Sequence, residues 1–177
     1  MIEQQRIDGY IRTIPDFPKP GIEFKDVTSL FADAEGFRLL LDKFQQKLTG
    51  YRIDAVAGID ARGFIIGGAL ADRLRCGFVA IRKKGKLPAD TISEAYELEY
   101  GEEILEIHSD AIQKGQRVLL VDDVLATGGT AKAGVKLIER IGGEIVMCAF
   151  AVDLANLGGH DALESDGYEV FSLSQFN

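Results

Sequence analysis

The stretch that most constrains this chain is Val118–Thr130, VLLVDDVLATGGT. An unbroken apolar run meets two adjacent carboxylates, Asp122 and Asp123, then small and hydroxylated residues, then a helical pattern over residues 130–141. An apolar run without alternation suits a strand covered on both faces, which requires helices packed above and below it. Ala126, Thr127, Gly128, Gly129 and Thr130 have little side chain to hold an anion away from their backbone N–H groups. With the helix N-terminus that follows, they read as a phosphate cradle. The two Asp would repel a phosphate; they suit the hydroxyls of an attached sugar, or Mg²⁺ through water. No GxxxxGK[ST] loop accompanies the run, and no GxGxxG fingerprint occurs anywhere, so neither a Walker-type nor a dinucleotide site is indicated.

A second unit repeats the logic. Residues 54–59 read as a buried strand, Asp60-Ala61-Arg62-Gly63 as a tight turn, and residues 64–74 as a helix. Arg62 can hold phosphate with both arms of its guanidinium, although the ordinary reading of a single Arg is a surface ion pair. RKKGK, residues 82–86, puts four positive charges into five positions of an acidic chain. The ordinary reading of such a run is a solvated face, but LPADTISEA follows it and reads as a long loop able to close as a basic lid.

Elsewhere, residues 2–14 read as a helix, and DFPKPGIEF follows it with two of the four prolines, so that segment cannot be helical throughout. The pattern predicts a helix over 36–48, a strand over 77–81, a hairpin over 95–108 about Gly101, and strands over 117–121 and 144–152. Strand and helix in succession predict an α/β domain with a mainly parallel sheet, its site at the carboxyl ends of the strands. One domain over residues 1–177 is expected, since no linker or repeat divides the chain. The last 25 residues carry no motif that can be read.

Charge narrows the partners. Twenty Lys and Arg against 28 Asp and Glu leave a net charge of −8, which disfavours nucleic acid as a ligand. Cys76 and Cys148 stand alone, which suits a reducing compartment, and no apolar stretch approaches the ~20 residues of a membrane span. A cytoplasmic protein is the expectation. His108 and His160 are too few for a metal site.

Two anion loops, a diol-binding carboxylate pair and a basic lid fit a ligand with phosphates at both ends and a sugar between them, the layout of 5-phosphoribosyl-1-pyrophosphate. At these residues the chain resembles the type I phosphoribosyltransferases. FPKPGIEFKDVTSLF (17–31), GIDARGFIIG (58–67), RKKGKLP (82–88) and YELEYG (96–101) resemble the adenine-using branch of that family. The resemblance implies a parallel sheet flanked by helices, a small N-terminal hood over residues 1–34 and a flexible lid loop. It implies transfer of phosphoribosyl to adenine, giving AMP and pyrophosphate, with Mg²⁺ held mostly by substrate oxygens and water, and a homodimer. By the same resemblance Ala126–Thr130 would bind the 5′-phosphate, and Asp122 and Asp123 the ribose. Arg62 with the backbone at Ala61, where relatives often have a non-proline cis peptide, would hold pyrophosphate. Lys83 and Lys86 would assist, and Arg82 would act across a dimer interface. Adenine would stack between Phe24 and Val124, near the main chain of Glu23 and the side chain of Lys25. Glu99 would be the catalytic carboxylate, with Tyr100 beside it. Glu23 and Lys25 depart from the commonest residues there, a small apolar residue and Arg. A phosphoribosyltransferase for xanthine, guanine or hypoxanthine is the alternative enzyme. A non-catalytic phosphoribosyl-pyrophosphate sensor is the alternative from another class.

Overall fold

A computed structural model describes residues 7–98 and 101–177. Two short strands, β1 (Arg12–Pro15) and β2 (Glu23–Asp26), form an antiparallel pair. Helices α1 (Thr28–Ala32) and α2 (Ala34–Lys47) follow. The main body then runs β3 (Ala55–Ile59), α3 (Arg62–Leu74), β4 (Gly77–Lys83), β5 (Thr91–Leu98), β6 (Gly101–His108), β7 (Arg117–Leu125), α4 (Gly129–Arg140) and β8 (Glu144–Leu154). A 3₁₀ turn (Ala155–Leu157), α5 (Gly159–Ser165) and β9 (Val170–Phe176) complete it.

Seven strands form one sheet in the order β5-β6-β4-β3-β7-β8-β9. From β4 to β9 all neighbours are parallel, while the β5–β6 hairpin joins the β4 edge antiparallel. The parallel strands are apolar on both faces because both faces are covered. Ala57, Ile59 and Leu120 pack with Val135 and Ile138 of α4; Val56, Leu119 and Val121 pack with Ile66 and Leu70 of α3 and with Leu40 and Phe44 of α2. Strand alternation thus sorts one sequence run into two cores. Asp33 caps α2, its Oδ1 accepting from the N–H groups of Glu35 and Gly36 at 3.0 and 2.8 Å.

Three expectations need correction. The helix expected over 2–14 has ended by Gly9, and Arg12–Pro15 is a strand instead. Pairing with β2 satisfies that backbone, and an Arg12–Asp26 ion pair at 2.5 Å fastens it. The loop expected over LPADTISEA is confined to residues 84–90, because Thr91–Leu98 pairs along its whole length with β6. The covering element beside the site is therefore a hairpin of the main sheet and not a long loop. Finally, Asp122 and Asp123 do not follow the strand; they lie inside β7, which continues to Leu125 beside β8.

Candidate active site

Chain order decides where a site can form. From β3 the chain passes through α3 to β4 on one side, whereas β7 lies on the other side of β3. The carboxyl ends of β3 and β7 therefore flank a topological switch point, where the connecting loops part and leave a crevice. The two predicted anion loops are the connections that leave these two strand ends, residues 60–61 and 126–128.

A cavity of about 590 Å³ fills this crevice and is lined by Phe24, Asp60, Ala61, Arg62, Lys83, Tyr96, Glu103, Asp122, Asp123, Val124, Ala126, Thr130 and Leu154. A smaller recess of about 70 Å³ continues under residues 124–131. Gly128 there has φ +89°, a left-handed conformation open to glycine, and it caps the N-terminus of α4. The Asp60–Ala61 peptide is cis, as expected for this turn. Gly63 lets α3 approach β7: a Cβ there would lie 2.9 Å from the Val121 carbonyl oxygen and 3.1 Å from Asp122 Oδ1.

The site is electrostatically balanced within itself. Arg62 Nε forms an ion pair with the buried Asp123 Oδ2, an oxygen that has no aligned hydrogen bond of its own. Asp122 Oδ1 accepts from the Asp123 N–H at 2.8 Å. Burial, and then the charge of Asp123, push the Asp122 carboxyl well above the usual carboxylate range. Arg82 Nε meets Asp60 Oδ2 at 3.0 Å, and Lys83 Nζ meets Glu103 Oε1 at 2.6 Å. The Tyr96 hydroxyl donates to Glu103 Oε2 at 2.6 Å. Burial and that bond push the phenol up to about 12, while the Thr130 hydroxyl pulls the other way.

Phe24 and Val124, expected on either side of a base, both line the cavity. Lys25 does not: it lies on the other face of β2, with Nζ 3.1 Å from Thr13 Oγ1, 3.2 Å from Glu23 Oε2 and 4.7 Å from the Phe176 ring centroid. The Glu23 side chain is exposed and held in that pair, so it does not turn toward the base. Lys86 is exposed outside the lining, its carbonyl accepting from Arg82 Nη1 at 3.3 Å. Glu99 and Tyr100 lie outside the described residues.

Sequence reasoning passed over Asp60, Tyr96, Glu103 and Leu154. Tyr96 and Glu103 were accessible, since centring the hairpin between Leu98 and Gly101 places them directly opposite each other. It also passed over the support behind the phosphate loop. The Gly159 N–H donates to the Ala126 carbonyl at 3.0 Å, and Asp153, fully buried at the end of β8, lies 3.3 Å from His160 Nδ1. No residue spacing announced that contact.

A doubly covered parallel sheet with a small-residue loop at a helix N-terminus, a carboxylate pair and an Arg-bearing turn at its switch point is the arrangement of a phosphoribosyltransferase. Residues 29–177 match the family model described as phosphoribosyl transferase domain, and the chain belongs to that family. An adenine phosphoribosyltransferase of Ruegeria pomeroyi is 60% identical over 177 residues, covering 100% of this chain and 99% of the relative. A crystal structure of adenine phosphoribosyltransferase from Thermoanaerobacter pseudethanolicus superposes with a TM-score of 0.93 at 49% identity, covering 98% of this chain and 99% of the other. The Saccharomyces cerevisiae enzyme, solved with an imino-altritol bisphosphate and adenine, superposes at 0.91 with 36% identity, covering 97% and 98%. The activity is that of an adenine phosphoribosyltransferase, a pentosyltransferase of purine salvage.

Proposed function

We propose that 5-phosphoribosyl-1-pyrophosphate lies across the crevice with its 5′-phosphate on residues 126–130, its ribose hydroxyls on Asp122 and Asp123, and its pyrophosphate toward Arg62, Lys83 and Lys86. The observation that carries this reading is the meeting of both anion loops on one cavity, with Phe24 and Val124 beside them. Adenine fits between those two side chains with its N9 directed at ribose C1. As the N9–C1 bond forms, the C1–O bond breaks and pyrophosphate leaves with the bonding electron pair, while N9 gives up its proton. Glu99 is the group assigned to that proton or to orienting the ribose.

The protein's part is positioning and charge stabilisation. Arg62 faces the leaving group from its seat on Asp123, so the guanidinium is oriented before substrate arrives. The phosphate loop offers backbone N–H groups and the Thr127 and Thr130 hydroxyls, which bind the far end of the ribose without competing for C1. The donor set fits Mg²⁺ held mainly by substrate oxygens and water, since two carboxylates adjoin the proposed ribose position. Asp122 and Asp123 would be its protein contacts, and the ion would supply positive charge to the pyrophosphate oxygens.

Homodimerisation and a cytoplasmic location belong to the same reading. The exposed Ile65 and Phe78 and the Phe64 ring under Arg82 offer an apolar patch to a second copy. Among the described residues no helix is long and apolar enough to cross a membrane.

The outward-facing Glu23 supports adenine over an oxo-purine, because its carboxylate offers nothing to the cavity. The test is to supply Mg²⁺, phosphoribosyl pyrophosphate and adenine, hypoxanthine, guanine or xanthine in parallel, and to separate the nucleotides formed. AMP is expected fastest by a wide margin. Preference for an oxo-purine would keep the fold and overturn the base pocket.

A further inference from the structure

Three cations at or beside the pyrophosphate side of the cavity are paired with carboxylates of the chain itself: Arg62 with Asp123, Arg82 with Asp60, Lys83 with Glu103. The three pairs differ in how firmly they are seated. Asp123 is buried in β7, and the Asp60 side chain is only 15% exposed at the end of β3. Lys83 and Glu103 have side chains 54% and 30% exposed and stand on β4 and β6, beside the hairpin. Register explains their meeting. Lys83 lies opposite Leu105, two residues from Glu103 and therefore on its face, and Tyr96 lies opposite Glu103 from the other side. Tyr96, Glu103 and Lys83 thus cross three strands in one row, and the Tyr96 phenol also meets the Thr130 hydroxyl of the phosphate loop. The hydrogen bonds from Lys83 and then from Tyr96 hold the Glu103 carboxyl below the usual carboxylate range, which favours its charged form.

We propose that Glu103 is an internal counter-anion that occupies Lys83 in the empty site and is exchanged for pyrophosphate when ligand binds, so that Glu103 sets the affinity for the pyrophosphoryl group. A carboxylate 2.6 Å from the ammonium competes with an incoming phosphate oxygen for the same donors and repels it. Tyr96 keeps the carboxylate in place and gives it a partner once Lys83 has left, so that the displaced charge remains hydrogen-bonded. Such competition favours release of pyrophosphate after transfer, at the expense of its affinity. The inference rests on the assignment of Lys83 to pyrophosphate.

The test is a double-mutant cycle read by calorimetric titration with pyrophosphate in the presence of Mg²⁺, using wild type, E103Q, K83M and K83M/E103Q. Gln keeps the shape and an acceptor for Tyr96 while removing the charge. E103Q is expected to bind pyrophosphate about three- to fivefold more tightly, the scale of one partly exposed ion pair. In the K83M background the same change is expected to have no effect. Unchanged or weaker binding by E103Q overturns the proposal, as does tightening that persists without Lys83, which would mark a general charge effect. K83M binding pyrophosphate as tightly as wild type would overturn the assignment of Lys83 itself, a result separable from failure of the exchange alone.

Discussion

Gly63 shows how one missing Cβ governs the site. It stands in the first turn of α3 directly against β7, and a methyl group there would press on the Val121 carbonyl and on Asp122 together. Both are part of strand and site, so neither can yield cheaply. Gly63→Ala is expected to lower kcat/KM for phosphoribosyl pyrophosphate by about 10- to 100-fold, the scale of an ångström-sized misplacement of substrate groups. Steady-state kinetics with each substrate varied in turn would check this, and a variant of wild-type efficiency would show that the helix tolerates displacement. The sequence marked Gly63 only as part of a small-residue turn. Its contact partner lies about 60 positions away, and proximity of that kind comes from strand order.

At the scale of elements, α5 is a buttress. A Cβ on Gly159 would lie 2.3 Å from the Ala126 carbonyl oxygen and 2.9 Å from the Gly128 nitrogen, so the phosphate loop rests on bare backbone. Gly159→Ala is expected to raise the KM for phosphoribosyl pyrophosphate at least about tenfold by pushing that loop inward, and to destabilise the fold by about 1–3 kcal/mol through overpacking. Substrate-saturation curves and denaturant titration would measure the two effects, and an unaffected KM would show that α5 does not support the loop. The β5–β6 hairpin carries the other lesson of this scale. Alternation over residues 95–108 gave the hairpin about Gly101, but TIS at residues 91–93 was too short and too mixed to read as strand. Those residues extend because β6 offers them a ladder, with Thr91 opposite His108 and Ile92 opposite Ile107. Tertiary pairing overrides weak local preference in such segments.

Across the whole molecule, acid stability follows from two opposed groups of carboxyls. Asp26, held low by Thr28 and Arg12, Asp54 by the Arg117 N–H and Arg52, Glu103 by Lys83 and Tyr96, and Glu169 by Lys47 and Tyr51 all have folded-state values below their ordinary ones. Each adds stability above its unfolded value and loses it as pH falls through the lowered folded value. Asp122 has the opposite sign: the folded state binds its proton more tightly, so its ionisation costs stability above the raised value, and stability returns as pH falls through it. Thermal melts of the ligand-free protein are therefore expected to decline below about pH 4.5, where the unfolded chain begins to take up protons that the four lowered groups do not yet accept in the fold. Asp122→Asn is expected to raise the melting temperature at pH 7 while reducing activity, since Asn removes a buried acid whose ionised form the fold disfavours. A lower melting temperature in that variant would place Asp122 among the stabilising groups instead.

What the sequence determined by itself was local and chemical. A fully apolar run ending in two Asp and a small-residue loop specified a doubly covered strand leading to a helix N-terminus, and the small residues there are the kind that leave backbone N–H groups open to an anion. The 3.6-residue periodicity of 36–48 and 130–141 placed α2 and α4, and four motifs in order indicated the family. What only the tertiary structure decided was juxtaposition. The order β4-β3-β7 opened the crevice between the two loops, β-pairing carried Asp122 and Asp123 inside a strand, and the face of β2 separated Phe24 from Lys25. The apparently silent C-terminus became the floor of the loop after β7 through Gly159 and the edge of the sheet through β9. Spacing along a chain records which groups a segment can offer; packing, through strand order and the two-residue alternation of each strand, decides which of those groups meet.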